Sequence, residues 1–276
     1  MVNQYYKKIT SDGSELFFQL TKPEGPIKAV LCLIHGQGDH GGCFEYLRDF
    51  FSDKSYGLIS VDLHGNGASS GKRGHIDNFE KLLDDIDVLL SEASEKFPES
   101  PVFLYGHSLG GNLVIHHSLK RKSKVAGVIA SSPWLRLTIN PLLVRPVAFF
   151  LDIFKPDYLI DVGIDAGKLS KDSIYTVNYA KDPLVHGNIS GHMLAGACKA
   201  GAWNIRHAGE FNLPLLLQHG SADQVTSHQA TELFFNRTHN KDIQLKIWEG
   251  NFHSLHNEVN RVEIFENMFS FLLPLI

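Results

Sequence analysis

A serine stands at position 108 inside Gly106-His107-Ser108-Leu109-Gly110, after the apolar run Val102–Tyr105 and before NLVIHHSLKRK, where apolar residues recur at helical spacing. A hydroxyl becomes a useful nucleophile only when a base takes its proton and an acid orients that base. Gly-x-Ser-x-Gly between a strand and a helix suits this chemistry. Small neighbours permit a sharp, strained turn that exposes the hydroxyl. The free N–H groups and positive end of the following helix favour the negative charge that develops during acyl transfer.

The partners of such a serine are expected after later strands, in the order Ser, Asp or Glu, His. Asp223 follows LPLLLQHG (213–220), and Asp161 and Asp165 are its rivals. His253 follows QLKIWEG (244–250), in the loop before the last helix pattern. With 15 histidines in the chain, loop position rather than residue type singles it out. His256, three residues on, is the rival base, with lining the site as its other reading. The tetrahedral oxyanion needs backbone donors, and losing one typically costs about 10²–10³ in rate. The N–H of Leu109 is one candidate. Gln37, in the glycine-rich loop HGQGDHGG (35–42), supplies the other.

These residues require a scaffold of alternating strands and helices. KAVLCLIHG (28–36) and GLISVDLHG (57–65) are continuous apolar runs, the pattern of strands buried on both faces of a parallel sheet. ELFFQLTKP (15–23) follows an Asp12-Gly13 turn and reads as the second arm of a hairpin. One apolar stripe, from Phe79 through Leu82, Ile86 and Leu89 to Phe97, predicts a helix between Asn78 and Pro98. Strands at 101–108 and 125–133, a helix near 227–238 and a final helix from about 257 to 273 complete an α/β fold with helices on both faces of a mostly parallel sheet. The alternation breaks after Trp134. Residues 136–210 are too long for a structureless loop and read as an inserted, mainly helical cap, leaving 1–135 and 211–276 as the core. Within the insertion PLLVRPVAFFLDIFKP (141–156) is apolar nearly all round, so it must bury against something or form a greasy surface.

Composition excludes several classes. The net charge is −4 over 276 residues, with short basic runs only, so no nucleic-acid partner is expected. DLHGNGASSGKRG (62–74) lacks the strand–GxGxxG–helix order of a dinucleotide site. It reads as a structural loop with Asp62 and His64 satisfied by hydrogen bonds. Cys32, Cys43 and Cys198 form no zinc pattern, Asp39, His40 and Asp62 make no persuasive metal site, and no metal or cofactor is expected. Cys32 should pack as a small hydrophobe in its strand. No secretory segment begins the sequence, so a cytoplasmic location is expected.

Taken in order, HGQGDHGGCFEYL, SVDLHGNGASSGKRGHIDNF, VFLYGHSLGGNL, KDPLVHG, LLLQHGSADQVTS and KIWEGNFHSLHNE resemble monoglyceride lipases. These serine hydrolases of the α/β-hydrolase superfamily share their branch with many proteins called lysophospholipases. The resemblance covers nearly the whole chain and is weakest over 134–175. It implies Ser108 as nucleophile, Asp223 as orienting acid and His253 as base, with Gln37 and Leu109 as oxyanion donors. It also implies that Asp39, in place of a glutamate, and His256 surround the glycerol head of the substrate. Cys43 stands where the mammalian enzyme has an arginine in that pocket. The cap of such relatives forms an apolar acyl channel and touches membranes, so a lipid ester substrate and transient membrane contact are implied. The expected reaction is hydrolysis of long-chain monoacylglycerols through an acyl-enzyme. Lysophospholipase or broad medium-chain carboxylesterase activity is the alternative, and a non-catalytic hydrolase-fold lipid binder is a remote one.

Overall fold

A computed structural model describes residues 1–163 and 165–276, with the side chains of Pro141 and Arg145 outside the description. The chain opens with an antiparallel hairpin of β1 (Val2–Ile9) and β2 (Glu15–Lys22), as the Asp12-Gly13 turn predicts. Then follow β3 (Ala29–Ile34), α1 (Glu45–Asp53), β4 (Tyr56–Val61), α2 (Lys81–Lys96), β5 (Val102–His107), α3 (Leu109–Arg121) and β6 (Gly127–Ser131). The long segment after β6 holds α4 (Pro141–Phe154), the short strands β7 (Leu159–Asp161) and β8 (Asn188–Ser190), α5 (Ser173–Lys181) and α6 (Gly191–Arg206). The alternation then resumes with β9 (Leu215–Gly220), α7 (His228–Arg237), β10 (Ile243–Trp248) and α8 (Arg261–Leu272).

Eight strands form one sheet in the order β1-β2-β4-β3-β5-β6-β9-β10, parallel from β4 onward. The continuous apolar runs have a direct cause. Successive residues of a strand point to opposite faces, and both faces are covered. Val30, Cys32, Ile34 and Leu104 pack into the layer under α2 and α3, whereas Leu31, Leu33, Phe103 and Tyr105 pack into the layer under α1 and α8. Cys32 is fully buried there as a small hydrophobe.

Two helices begin later than their apolar stripes suggest. Asn78 Oδ1 accepts the Glu80 N–H, which makes a turn before α2. Residues 255–257 form a 3₁₀ turn before α8. The apolar helix α4 is capped by Asn140 and contacts α6, burying Ala148. Most of its large residues face outward, with Leu142 80% and Phe154 67% exposed. Of the two readings of that segment, the greasy surface is the one found.

The turn after β5 is closely packed. A Cβ on Gly106 would overlap the Gly110 carbonyl oxygen, and one on Gly110 would overlap the Ile34 carbonyl oxygen. Both neighbours are backbone and cannot swing aside. Gly106→Ala is therefore expected to lose about 3 kcal/mol or more of stability, the upper range for overpacking. Urea denaturation measures it, and an unchanged midpoint would show that the strand–helix contact yields.

Candidate active site

Ser108 links β5 to α3 with φ 55° and ψ −114°, a backbone conformation costly for any residue with a side chain. Three backbone bonds hold it. Its N–H donates to Ser131 O (3.0 Å), and its carbonyl accepts from Asn112 N (3.0 Å) and Trp134 N (2.9 Å). The side chain faces a cavity of about 330 Å³ whose walls also include Gln37, Asp39, His107, Tyr179 and His253. The rest of the wall is largely apolar: Leu137, Ile139, Val162, Ile189, Leu194 and Val225.

Asp223 and His253 come together at the ends of β9 and β10. His253 Nδ1–H donates to Asp223 Oδ2 at 2.7 Å, which leaves the Nε2 lone pair free. Asp223 Oδ1 accepts the N–H groups of Val225 (2.7 Å) and Thr226 (3.0 Å). Burial would raise the Asp223 carboxyl, but the charge of His253 and hydrogen bonds from His219 and His253 hold it well below the usual carboxylate range. Ser132 Oγ–H donates to the His253 carbonyl at 2.7 Å, fixing the loop that carries the ring. Ser108 and His253 share the cavity wall.

Gln37 lies on the opposite loop, tied by its amide to Asn188 O (2.9 Å). Among the described residues, neither its backbone N–H nor that of Leu109 is taken by a backbone acceptor. The loop is pinned by Asp62, which accepts the Gly41 and Ala68 N–H groups at 2.7 and 2.8 Å. His64 Nδ1 pairs with Asp85 at 2.6 Å while its buried Nε2 meets no hydrogen-bond partner among the described residues, so of the two residues expected to be satisfied Asp62 is and His64 is only in part. The rival acids Asp161 and Asp165 lie on the insertion, and Asp165 stands 3.7 Å from Lys168 at the cavity mouth.

Asp39 reaches the cavity, where its carboxylate accepts the Tyr179 hydroxyl of α5. Burial and the nearby Asp39 charge push the Tyr179 hydroxyl well above its usual range, keeping it a donor. Burial and the same charge raise the Cys43 thiol, which is therefore protonated. His256 does not line the cavity. It lies one layer behind, 4.7 Å from the His107 ring and 4.9 Å from Phe44, and it accepts the Tyr105 hydroxyl at 3.3 Å. The turn at 255–257 folds it inward.

Sequence reasoning misses Tyr179, His219 and the stitching of the insertion to the histidine loop. Leu169 O accepts the Ser254 N–H (2.7 Å), Ser170 Oγ–H donates to Asn257 O (2.8 Å), and the Lys171 N–H donates to the buried Glu258 (3.2 Å). Arg261 completes the seam by donating to Asp172 at 2.8 Å. A signal for Tyr179 exists: Asp172 is a helix N-cap, and Tyr175 and Tyr179 lie four apart on one face.

Sheet order and serine elbow define the α/β-hydrolase fold. The family model described as "Serine aminopeptidase, S33" matches residues 25–260. Rat (Rattus norvegicus) monoglyceride lipase is 30% identical over 258 residues, covering 92% of this chain and 84% of that protein. An uncharacterized abhydrolase domain-containing protein of Dictyostelium discoideum is 34% identical over 95% of this chain, which spans only 28% of that longer protein. The crystal structure of a monoacylglycerol lipase from Paleococcus ferrophilus superposes with a TM-score of 0.85 at 28% identity, covering 94% of this chain and 99% of that one. The chain belongs to the serine aminopeptidase S33 family and, within it, to the monoglyceride lipase branch of the α/β-hydrolase superfamily.

The buried histidines make the fold acid-sensitive. Burial, then the charge of His253, lowers His256 to about 3, while the unfolded chain protonates it near about 6.5. Between those values the unfolded state binds the extra proton, so stability falls as pH drops below about 6.5. Burial shifts His35, His107 and His219 in the same direction. Urea midpoints should therefore fall between pH 6.5 and 5. His256→Gln should flatten that slope by about one proton, or ~1.4 kcal/mol per pH unit. An unaltered slope would contradict the assignment.

Proposed function

We propose that this chain hydrolyses long-chain monoacylglycerols to fatty acid and glycerol, with Ser108, His253 and Asp223 as its triad. One observation carries the reading: the serine and histidine share a cavity lined by Asp39 and Tyr179 together with a larger apolar wall that includes Leu137, Ile139, Val162, Ile189, Leu194 and Val225. Such a wall suits an ester with a hydroxylated head and a hydrocarbon tail. The relatives named monoglyceride lipase support it.

In the first half-reaction His253 Nε2 takes the Ser108 proton as Oγ attacks the ester carbonyl. The carbonyl oxygen becomes an oxyanion held by the Gln37 and Leu109 N–H groups. The C–O bond to glycerol then breaks, His253 returns the proton to the leaving alkoxide, and an acyl-Ser108 ester remains. Water, deprotonated by the same histidine, attacks that ester. Collapse releases the fatty acid and restores the Ser108 hydroxyl. Asp223 stays ionised throughout and stabilises the imidazolium. Asp39, oriented by Tyr179, accepts a glycerol hydroxyl, and His256 supports this pocket from behind His107. Each acyl methylene buried against Leu137, Ile139 and Leu194 contributes about 0.8 kcal/mol.

Residues 136–210 act as the cap in this reading, and α4 is the face that meets lipid. Leu142, Leu143, Phe149 and Phe150 are all more than half exposed, which supports it. Among the described residues no helix is long and apolar enough to cross a membrane, so contact would be superficial.

A matched assay on 2-oleoylglycerol, lysophosphatidylcholine and a short-chain ester tests the substrate. Dominant glycerol release is expected, and Ser108→Ala should lower it by about 10³-fold or more while abolishing fluorophosphonate labelling. Comparable turnover of the other esters would move the function to lysophospholipase or general esterase. For membrane contact, Leu142→Glu with Phe150→Glu should weaken liposome co-sedimentation by about tenfold or more. Equal sedimentation of variant and parent would remove α4 from that role.

A further inference from the structure

We propose that His219, next to last in β9, is a positioning residue: it clamps the Asp223 carboxylate and sets the pH above which His253 works as a base. The inference rests on the reading of Asp223 and His253 as acid and base.

The His219 ring is completely buried and spans two partners. Nδ1 lies 2.8 Å from the Thr231 hydroxyl of α7. Nε2 lies 3.0 Å from Asp223 Oδ2 and 3.2 Å from Thr226 O. A carboxylate and a carbonyl can only accept, so Nε2 carries the proton and Nδ1 accepts from Thr231. Burial holds the ring neutral, because it disfavours the charged form. Asp223 Oδ2 therefore receives two imidazole N–H groups, one from His253 and one from His219, and lies 2.9 Å from the Thr226 hydroxyl.

Two consequences follow from this arrangement. Oδ1 is fixed by two backbone N–H groups and Oδ2 by His219, so the carboxylate cannot rotate away from His253. A second N–H on the same oxygen also spreads its charge. The carboxylate then binds the His253 imidazolium less tightly, and His253 stays neutral to lower pH. The titratable groups facing His219 are Asp223, His253 and, at 6.3 Å between rings, His228. Those facing His253 are Asp223, His107 and His256.

The test is the acid limb of kcat/KM against pH in the full-length enzyme. His219→Leu removes the donor and should move the limb upward by about half to one pH unit, with kcat down about tenfold and KM within about twofold. His219→Gln keeps an N–H and should restore the limb to within about 0.2 unit and most of kcat. A role in stability alone would lower the melting temperature of both variants without moving the limb. Nitrogen NMR of ¹⁵N-histidine wild type adds a measurement independent of variant folding: His219 should be neutral and protonated on Nε2 from pH 6 to 9. The proposal is overturned by an unmoved or downward limb in folded His219→Leu, by Gln behaving as Leu does, or by a charged or Nδ1-protonated His219 at neutral pH. Asp223→Asn is the control. Full activity there would sink the triad itself, whereas lost activity with an unmoved His219→Leu limb would sink only the role of His219.

Discussion

Everything in this molecule is arranged around one crowded corner, where β5 turns into α3. Ser108 can hold its left-handed backbone only because Gly106 and Gly110 let the strand, the helix start and the Ile34 carbonyl approach within the space of a missing methyl group. The strain is over-determined by Ser131, Asn112 and Trp134, which bond the serine on both sides. From that corner Ser108 faces the cavity, with the positive end of α3 directly behind it. The parallel sheet then delivers the other groups at its carboxyl edge, each in a loop after its own strand.

Electrostatically the site is a buried anion surrounded by donors. Asp223 is shielded from water and satisfied on both oxygens, so its charge is spent on orienting rings and not on attracting counter-ions. Asp39 lines the cavity itself, with a tyrosine in place of a cation as its partner. Burial and the Asp39 charge keep the Cys43 thiol protonated, so it adds no second negative charge near Asp39.

How much of this was legible in the sequence follows the range of the interactions. The strands of the sheet are visible as apolar runs because both faces are covered, and the serine elbow is visible because its glycines are local. Asp223 and His253 can be picked from many acids and histidines because the fold reserves strand-end loops for them. For Tyr179 the local signal reaches only its helix and face, since its meeting with Asp39 spans 140 positions and depends on how the insertion folds back. His219 sits in a run that reads as plain buried strand, and only the packed side chains show its ring turned toward the acid. The orientation of α4 is equally opaque, because a helix apolar on all sides carries no information about which side is covered.

The bonds from Leu169–Asp172 to the turn at 253–258 and to Arg261 tie the middle of the insertion to the loop that carries His253. In evolutionary terms this is a seam for recombination. An exchange of sequence between relatives that stops before Leu169 swaps the exposed apolar helix α4 and part of the cavity wall while leaving the loop at 253–258 with its native partners. An exchange that runs through to residue 210 breaks those bonds unless the turn at 253–258 is inherited along with it. The cavity wall can therefore change through the first part of the insertion while His253 stays in place.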